Sequence, residues 1–299
     1  MVAYAFKDYL QFLVSGLSTG SIYVLIALGL IAIYNVTGVI NLAQGEFVML
    51  GAMFSVVYQR MHLPLLASFI AAVLSVMLIG ALVERSTIHP ARNAPDVSLI
   101  IITIGTAIAI RGLALLIWGT TPYASPEFSP GAPLNLWGAI LSRQRLWIMG
   151  TTALVLLVLY LFFEFTLLGK AVRACSISRQ VAELVGINTD TVSLIAYSIS
   201  AGMSAIAGIV IAPLTLVSYD MGLTLGLKGF VVAIIGGMVN APAAVVGGLA
   251  LGVLESFTSG MLSSGIKDAI AYSVLFVVLL ARTFKGAGSR KGGHDELHP

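Results

Sequence analysis

The sequence predicts an all-α, polytopic integral membrane protein, and three observations predict it. First, 58% of the 299 residues are hydrophobic and 10% are charged, against about 25% charged in a soluble domain. Such a chain cannot clothe itself in polar surface, and its mean hydropathy is +1.00. Second, apolar runs of about 20 residues recur, each able to cross a hydrocarbon core of about 30 Å. Third, no short alternating segments of the kind a membrane barrel needs are present.

Taken in order, the runs fall near 9–33, 46–59, 63–83, 97–119, 146–164, 191–212, 229–257 and 268–283, which gives about eight transmembrane helices. They form one transmembrane domain over residues 1–284, and residues 285–299 read as a disordered cytoplasmic tail. The first run extends well past a signal-peptide core and has no small-residue cleavage signal, so it reads as a span that stays. The segments near 35–46 and 229–257 read as interrupted or re-entrant. In the second, Asn240 and Pro242 lie among Gly236, Gly237, Gly247 and Gly248. Non-helical backbone at membrane depth survives only where protein or a water-filled cavity supports it. The stretches 35–52 and 229–252 echo each other loosely, one in each half. Such paired interruptions point to a transport site between two structural repeats.

The net charge of +3 reads as the excess of Lys and Arg on cytoplasmic loops rather than as a nucleic-acid footprint. Arg85 and Arg92 lie in 84–96, Lys170, Arg173 and Arg179 in 165–190, and Arg282, Lys285, Arg290 and Lys291 after Leu280. All three segments share the cytoplasmic side if 97–119 and 146–164 are joined outside. The side of the N-terminus stays open. The single cysteine, Cys175, excludes an internal disulfide and offers no metal cluster.

The stretch NVTGVINLAQGEFVMLGA, residues 35–52, carries unusual chemistry for a span. As a helix it would place Thr37, Asn41 and Gln44 on one polar face. Gly38, Gly45 and Ala52, seven residues apart, would make a smooth face for a neighbouring helix. Asn41 and Gln44 read first as helix-to-helix hydrogen-bonding groups. Two readings of Glu46 stand: it lines a path or pairs with a cation inside the membrane, or it caps a helix whose dipole favours a carboxylate in the first turn. Arg111 lies near enough to the outer end of its run to snorkel. Lys228 and Glu255 bound the interrupted segment and could pair with each other or with a lipid headgroup.

Here the residues carry a resemblance. NLAQGEFVMLGA resembles the signature of the LivH-type family, the inner-membrane permease subunits of branched-chain amino-acid ABC importers. IHPARNAP with SLIIITIGTAIAIRGLALLIWG, and GLKGFVVAIIGGMVNAPAAVVGGLALGVLES, are similar to two further stretches of that family. The resemblance covers about 9–283. It implies a multi-pass protein of the bacterial inner membrane, bedded in lipid, without a catalytic or metal site. Its implied partners are a second homologous permease, two cytoplasmic ATPases and an extracytoplasmic substrate-binding protein. Candidates for the translocation path are Asn41, Gln44, Glu46, Gly236, Gly237 and Asn240.

No nucleotide site is expected in the chain itself. Gly169-Lys170 lacks the flanking glycine and Ser/Thr of a phosphate-binding loop, so ATP would be bound by the partner subunits. The segment 165–190 is where they would dock. Ala182 and Val185, with Val181 and Leu184, give a short helix an apolar stripe, and Arg179 and Glu183 form an i, i+4 pair. Gly186 can end that helix. QVAELVG resembles the coupling motif of ABC permeases, with Gln180 in place of Glu and Val181 in place of Ala. The coupling candidates are therefore Arg179, Gln180, Ala182, Glu183 and Gly186.

Three other readings compete with this one. GLSTG, residues 16–20, matches a nucleophile elbow, but no histidine falls within a run to activate Ser18. An ion-driven carrier would place carboxylates in mid-span, whereas Asp and Glu here gather at run ends. A sugar-specific permease of the same superfamily stays open.

Overall fold

The computed structural model describes residues 5–136, 138–261, 265, 269–274, 276–278 and 280. The tail 285–299 lies outside them, and the run near 268–283 is described only in part. Ten α-helices are named among the described residues: α1 Phe6–Thr37, α2 Gln44–Arg60, α3 Leu65–Val83, α4 Asp96–Trp118, α5 Arg143–Phe165, α6 Leu167–Ile177, α7 Arg179–Leu184, α8 Thr189–Ile211, α9 Met221–Ile235 and α10 Ala241–Met261. A π-helical turn, Glu84–Ile88, extends α3, and a 3-10 turn, Ala212–Leu214, ends α8. Six helical segments are long and apolar enough to cross a membrane. A short hairpin of β1, Leu134–Leu136, and β2, Ala139–Leu141, sits in the loop before α5; the sequence pattern did not signal it.

Composition explains which helices lie inside. α1 is apolar all round, and its faces pack against α8, α9 and α10. Gly16 and Gly20 let the α10 backbone approach at Gly248, Gly252 and Val253, the small-residue contact that membrane helices use in place of hydrophobic drive. The outer faces of α3, α4 and α5 expose Leu, Ile and Val side chains such as Leu74, Ile108 and Leu157. That apolar cover is what a lipid-facing surface requires.

Both interruptions fall inside the segments expected from the sequence, over 38–43 and 236–240, and the structure gives them their form. Residues 35–52 are not one helix. Gly38 adopts φ +70°, ends α1 and sends the chain back inward. Thr37 therefore shares no helical face with Asn41 and Gln44. Thr37 Oγ1 instead donates to its own helix at Ile33, while Thr103 of α4 donates to the carbonyl of Ile40. α2 then starts at Gln44, beside Gly29 of α1, eight residues or about 12 Å short of that helix's end. In the second segment the helix starts at Met221 rather than near 229. It breaks over 236–240, where Gly237 has φ +76° and Met238 +63°. Asn240 Oδ1 accepts from Ala243 N to open α10, and Pro242 falls in the first turn, where its missing N–H costs nothing.

These breaks belong to an inverted repeat. α1–α2–α3 corresponds to α8–α9–α10: α1 packs on α10 as α8 packs on α3, and α9 on α1 as α2 on α8. The end of α1 meets the start of α8 through Val36, Val192 and Ala196, so the two copies run in opposite directions. The true counterpart of 38–43 is therefore 212–220, not the 229–252 stretch that the sequence echo suggested. At the centre, Gly45 and Gly222 lie backbone to backbone, and a Cβ on either would enter the other's carbonyl.

Candidate translocation and coupling sites

The polar residues of the re-entrant segment form one buried network. Gln44 Nε2 donates to Ser204 Oγ at 2.6 Å and to the Ser200 carbonyl at 3.3 Å. Ser200 Oγ contacts Gln44 Oε1 at 3.0 Å and the Gly29 carbonyl at 2.7 Å. Asn41 Nδ2 donates to Gln44 Oε1 at 3.4 Å, and Asn41 Oδ1 accepts from Ala43 N. Leaving such groups unpaired would cost about 1–3 kcal/mol each. Asn41 and Gln44 thus stitch the start of α2 to α1 and α8.

Glu46, in the first turn of α2, is 1% exposed and forms an ion pair with Arg111 of α4. Arg111 does not snorkel outward. Side chains on a helix tilt toward its N-terminus, so Arg111 reaches inward along α4 and finds a carboxylate 65 residues away in sequence. Asn41, Gln44, Glu46 and Arg111 line a cavity of about 190 Å³ between α2, α4 and α9, whose other walls include Leu30, Ile104, Leu227 and Phe230.

Gly236, Gly237 and Asn240 do not join that cavity. Gly236 packs on Ala244, and Gly237 supplies the left-handed turn. Asn240 borders a separate apolar cavity of about 530 Å³ between α1, α5, α6, α8 and α10, with Asn35, Arg173 and Ser176 on its wall. Asn35 Nδ2 donates to the Val239 carbonyl, which places the break 236–240 at the same end as the C-terminus of α1.

A second buried ion pair joins Lys228 to Glu255, 3.1 Å apart across α9 and α10, and the Tyr23 hydroxyl donates to the same carboxylate at 2.7 Å. Glu255 also borders a polar cavity of about 510 Å³ with Asp8, Gln11, Ser15, Thr19 and Arg145. Only the pairing of these residues, not this cavity, was foreshadowed by sequence.

The segment 165–190 folds into α6 and α7 rather than a loop. Ser178, extended at φ −158°, caps α7 by accepting from Val181 N. Ala182 is buried against Val172, Cys175 and Val192, while Gln180, Val181, Leu184 and Val185 face outward. Arg179 reaches Glu183 at 3.5 Å and Asp190 at 3.2 Å, and Thr189 donates to Glu183. Gly186, at φ +86°, turns the chain. Asp190 also receives both of its short bonds from Arg92, at 2.6 and 2.7 Å. The segments 84–96 and 165–190 therefore share one face.

A bundle of apolar helices, an inverted repeat and a braced short helix at one face define a transport-type membrane domain. A family profile described as "Branched-chain amino acid transport system / permease component" matches residues 12–281, and the chain belongs to that family. It is 33% identical to the high-affinity branched-chain amino acid transport system permease protein LivH of Salmonella typhimurium, over 92% of this chain and 94% of that one. It is 31% identical to BraD of Pseudomonas aeruginosa over the same shares. A more distant relative, the xylose/arabinose import permease protein XylH of Sulfolobus acidocaldarius, is 29% identical over 65% of this chain and 55% of its own. No solved structure is a significant match.

Proposed function

We propose that this chain carries branched-chain amino acids across a bacterial inner membrane as one of two homologous permeases in an ABC importer. Two cytoplasmic ATPases bind and hydrolyse the ATP, a substrate-binding protein delivers cargo from outside, and the permease has no nucleotide site of its own. The observation that carries the driving mechanism is α7. Val181, Leu184 and Val185 are 57%, 86% and 70% exposed on a helix held by Arg179, Glu183 and Asp190. A rigid apolar ridge of this kind fits a groove on another protein, and the Lys/Arg count puts its face in the cytoplasm. The N-terminal end of α1 then lies outside. ATP binding moves α6 and α7 together, and the two repeats rock about the Gly45–Gly222 contact. Asn41, Gln44 and Glu46 border the path. Gly236, Gly237 and Asn240 shape its inner end.

The relatives support amino acids over sugars as cargo, because those matched over 94% of their length are named for branched-chain amino acids and the sugar permease is matched over 55%. The test is affinity purification from native membranes, then reconstitution and uptake of labelled leucine against labelled ribose. Co-purification of a second permease and two ATPases, with ATP-dependent leucine uptake, is the expected result. A chain that arrives alone and transports without ATP would overturn it.

A further inference from the structure

We infer that Glu46 and Arg111 form an intramembrane recognition pair for an amino-acid zwitterion. The cargo's ammonium is taken by Glu46 and its carboxylate by Arg111, and its hydrocarbon lies against Leu30, Ile104, Leu227 and Phe230. This deepens the importer reading and rests on it.

Four observations carry the assignment. A buried ion pair recovers its desolvation cost only when the remaining donors and acceptors are also satisfied. Here Glu46 Oε2 and Arg111 Nε are buried without a hydrogen-bond partner among the described residues, whereas the neighbouring Gln44 amide is bonded through both its nitrogen and its oxygen. The pair keeps one acceptor and one donor for something else.

Second, both groups border an open cavity of about 190 Å³. At about 30 Å³ per water, that is the bulk of some six waters, which suits one small solute rather than a peptide. Its polar lining comes from Asn41, Gln44, Glu46 and Arg111, and aliphatic and aromatic side chains make up much of the rest, a mixture that suits a molecule with a charged head and an apolar side chain.

Third, glycine lets a second helix approach the carboxylate without a side chain between them. A Cβ on Gly222 would come within 3.2 Å of Glu46 Oε2, and Gly226 faces the Gly45 backbone. The starts of α2 and α9 are thereby brought beside the same carboxylate, inside the bundle and away from bulk water.

Fourth, the wall that holds Arg111 is lightly anchored among the described residues. Only four residues of α4 are buried, and its named helix contacts are with α2 and the π-helical turn. Ile104, Ile108, Leu223 and Leu227 stand exposed at the mouth between α4 and α9. A small outward shift of α4 would part the pair and admit the zwitterion between its two charges.

The test uses the assembled importer in lipid nanodiscs, without binding protein or nucleotide. Saturation-transfer NMR is recorded with leucine, with leucinamide, which lacks the carboxylate, and with 4-methylpentanoate, which lacks the ammonium. Leucine is expected to bind more tightly than either analogue by about tenfold or more, because a site built for a polar group rejects its absence. Glu46→Gln should erase the preference over 4-methylpentanoate, and Arg111→Gln the preference over leucinamide. Equal binding of all three probes to the unmodified complex would overturn the assignment, and that arm needs no substitution. Full leucine uptake by a Glu46→Arg, Arg111→Glu exchange would also overturn it, since only a structural pair survives reversal. These failures occur in a complex that has assembled with its ATPases. Failure to assemble would instead count against the importer reading.

Discussion

Gly45 of α2 and Gly222 of α9 touch backbone to backbone, each occupying the space that the other's side chain would need. The contact joins the second helices of two oppositely oriented repeats, and rigid backbone on both sides leaves nothing to yield. Gly45→Ala should therefore lower the thermal unfolding midpoint in detergent, with an overpacking cost of about 1–3 kcal/mol. Gly112→Ala is the control. Among the described residues, nothing beyond its own stretch of helix lies within 4 Å of its added Cβ, so its midpoint should stay the same or rise.

Removing one partner of the Lys228–Glu255 pair should be far more damaging than removing both. Glu255→Ala leaves a buried ammonium facing a lost charge, at a cost of about 3–5 kcal/mol. A Lys228→Met, Glu255→Leu double substitution should recover most of that stability. Tyr23→Phe removes one charge-assisted hydrogen bond and should cost about 1.5–3 kcal/mol. Thermal stability of the three variants, each measured against the parent, checks the order.

On α7, Leu184→Asp should leave the bundle intact, because that side chain is exposed. It should weaken co-purification of the ATPases by about tenfold or more, the effect of truncating an interface anchor. Asp190→Asn should act on coupling by a different route, loosening Arg92 and Arg179 together. ATPase stimulation by loaded binding protein measures both effects.

Cys175, on α6, sits in an apolar cluster where burial pushes its thiol above the ordinary range, with Arg179 pulling the other way and Glu183 adding to the rise. The thiolate is the reactive form, so maleimide labelling near neutral pH should be slower than for a free thiol and should quicken on unfolding. The folded state holds this proton more tightly. Its contribution to stability is complete below the unfolded thiol value, about 8.5, and is lost as pH rises through the higher folded value. Cys175→Ser should reduce that alkaline sensitivity.

The long helices were legible because each is a continuous apolar run: α1, α3, α4, α5 and α8 all lie where hydropathy puts them. The break at 236–240 was legible from its Gly-Gly and Asn-x-Pro chemistry. The separation of Thr37 from Asn41 and Gln44 was not, since the three satisfy helical spacing and the left-handed Gly38 parts them. α9 starts eight residues before the apolar run near 229, because Gly222 and Gly226, which dilute the hydropathy there, serve close packing on Gly45. Arg111 was misread because its partner is remote in sequence and only the three-dimensional direction of its side chain reveals it. The ridge on α7 was readable as a short helix, while its division into a buried Ala182 and an exposed Val181, Leu184 and Val185 required the surrounding helices.

The packing of α1 on α10 also has a consequence for biogenesis. Tyr23 and Glu255 are 232 residues apart, and ribosomes add about 5–20 residues per second, so the first helix waits roughly 10–50 s for its largest partner. Through that interval the Gly16–Gly20 groove and the Tyr23 hydroxyl face the translocon or bare lipid. The covering of α1 is complete only once α10 has been made, and a ribosome stalled before α10 leaves a nascent product with its central helix uncovered, a ready substrate for membrane quality-control proteases.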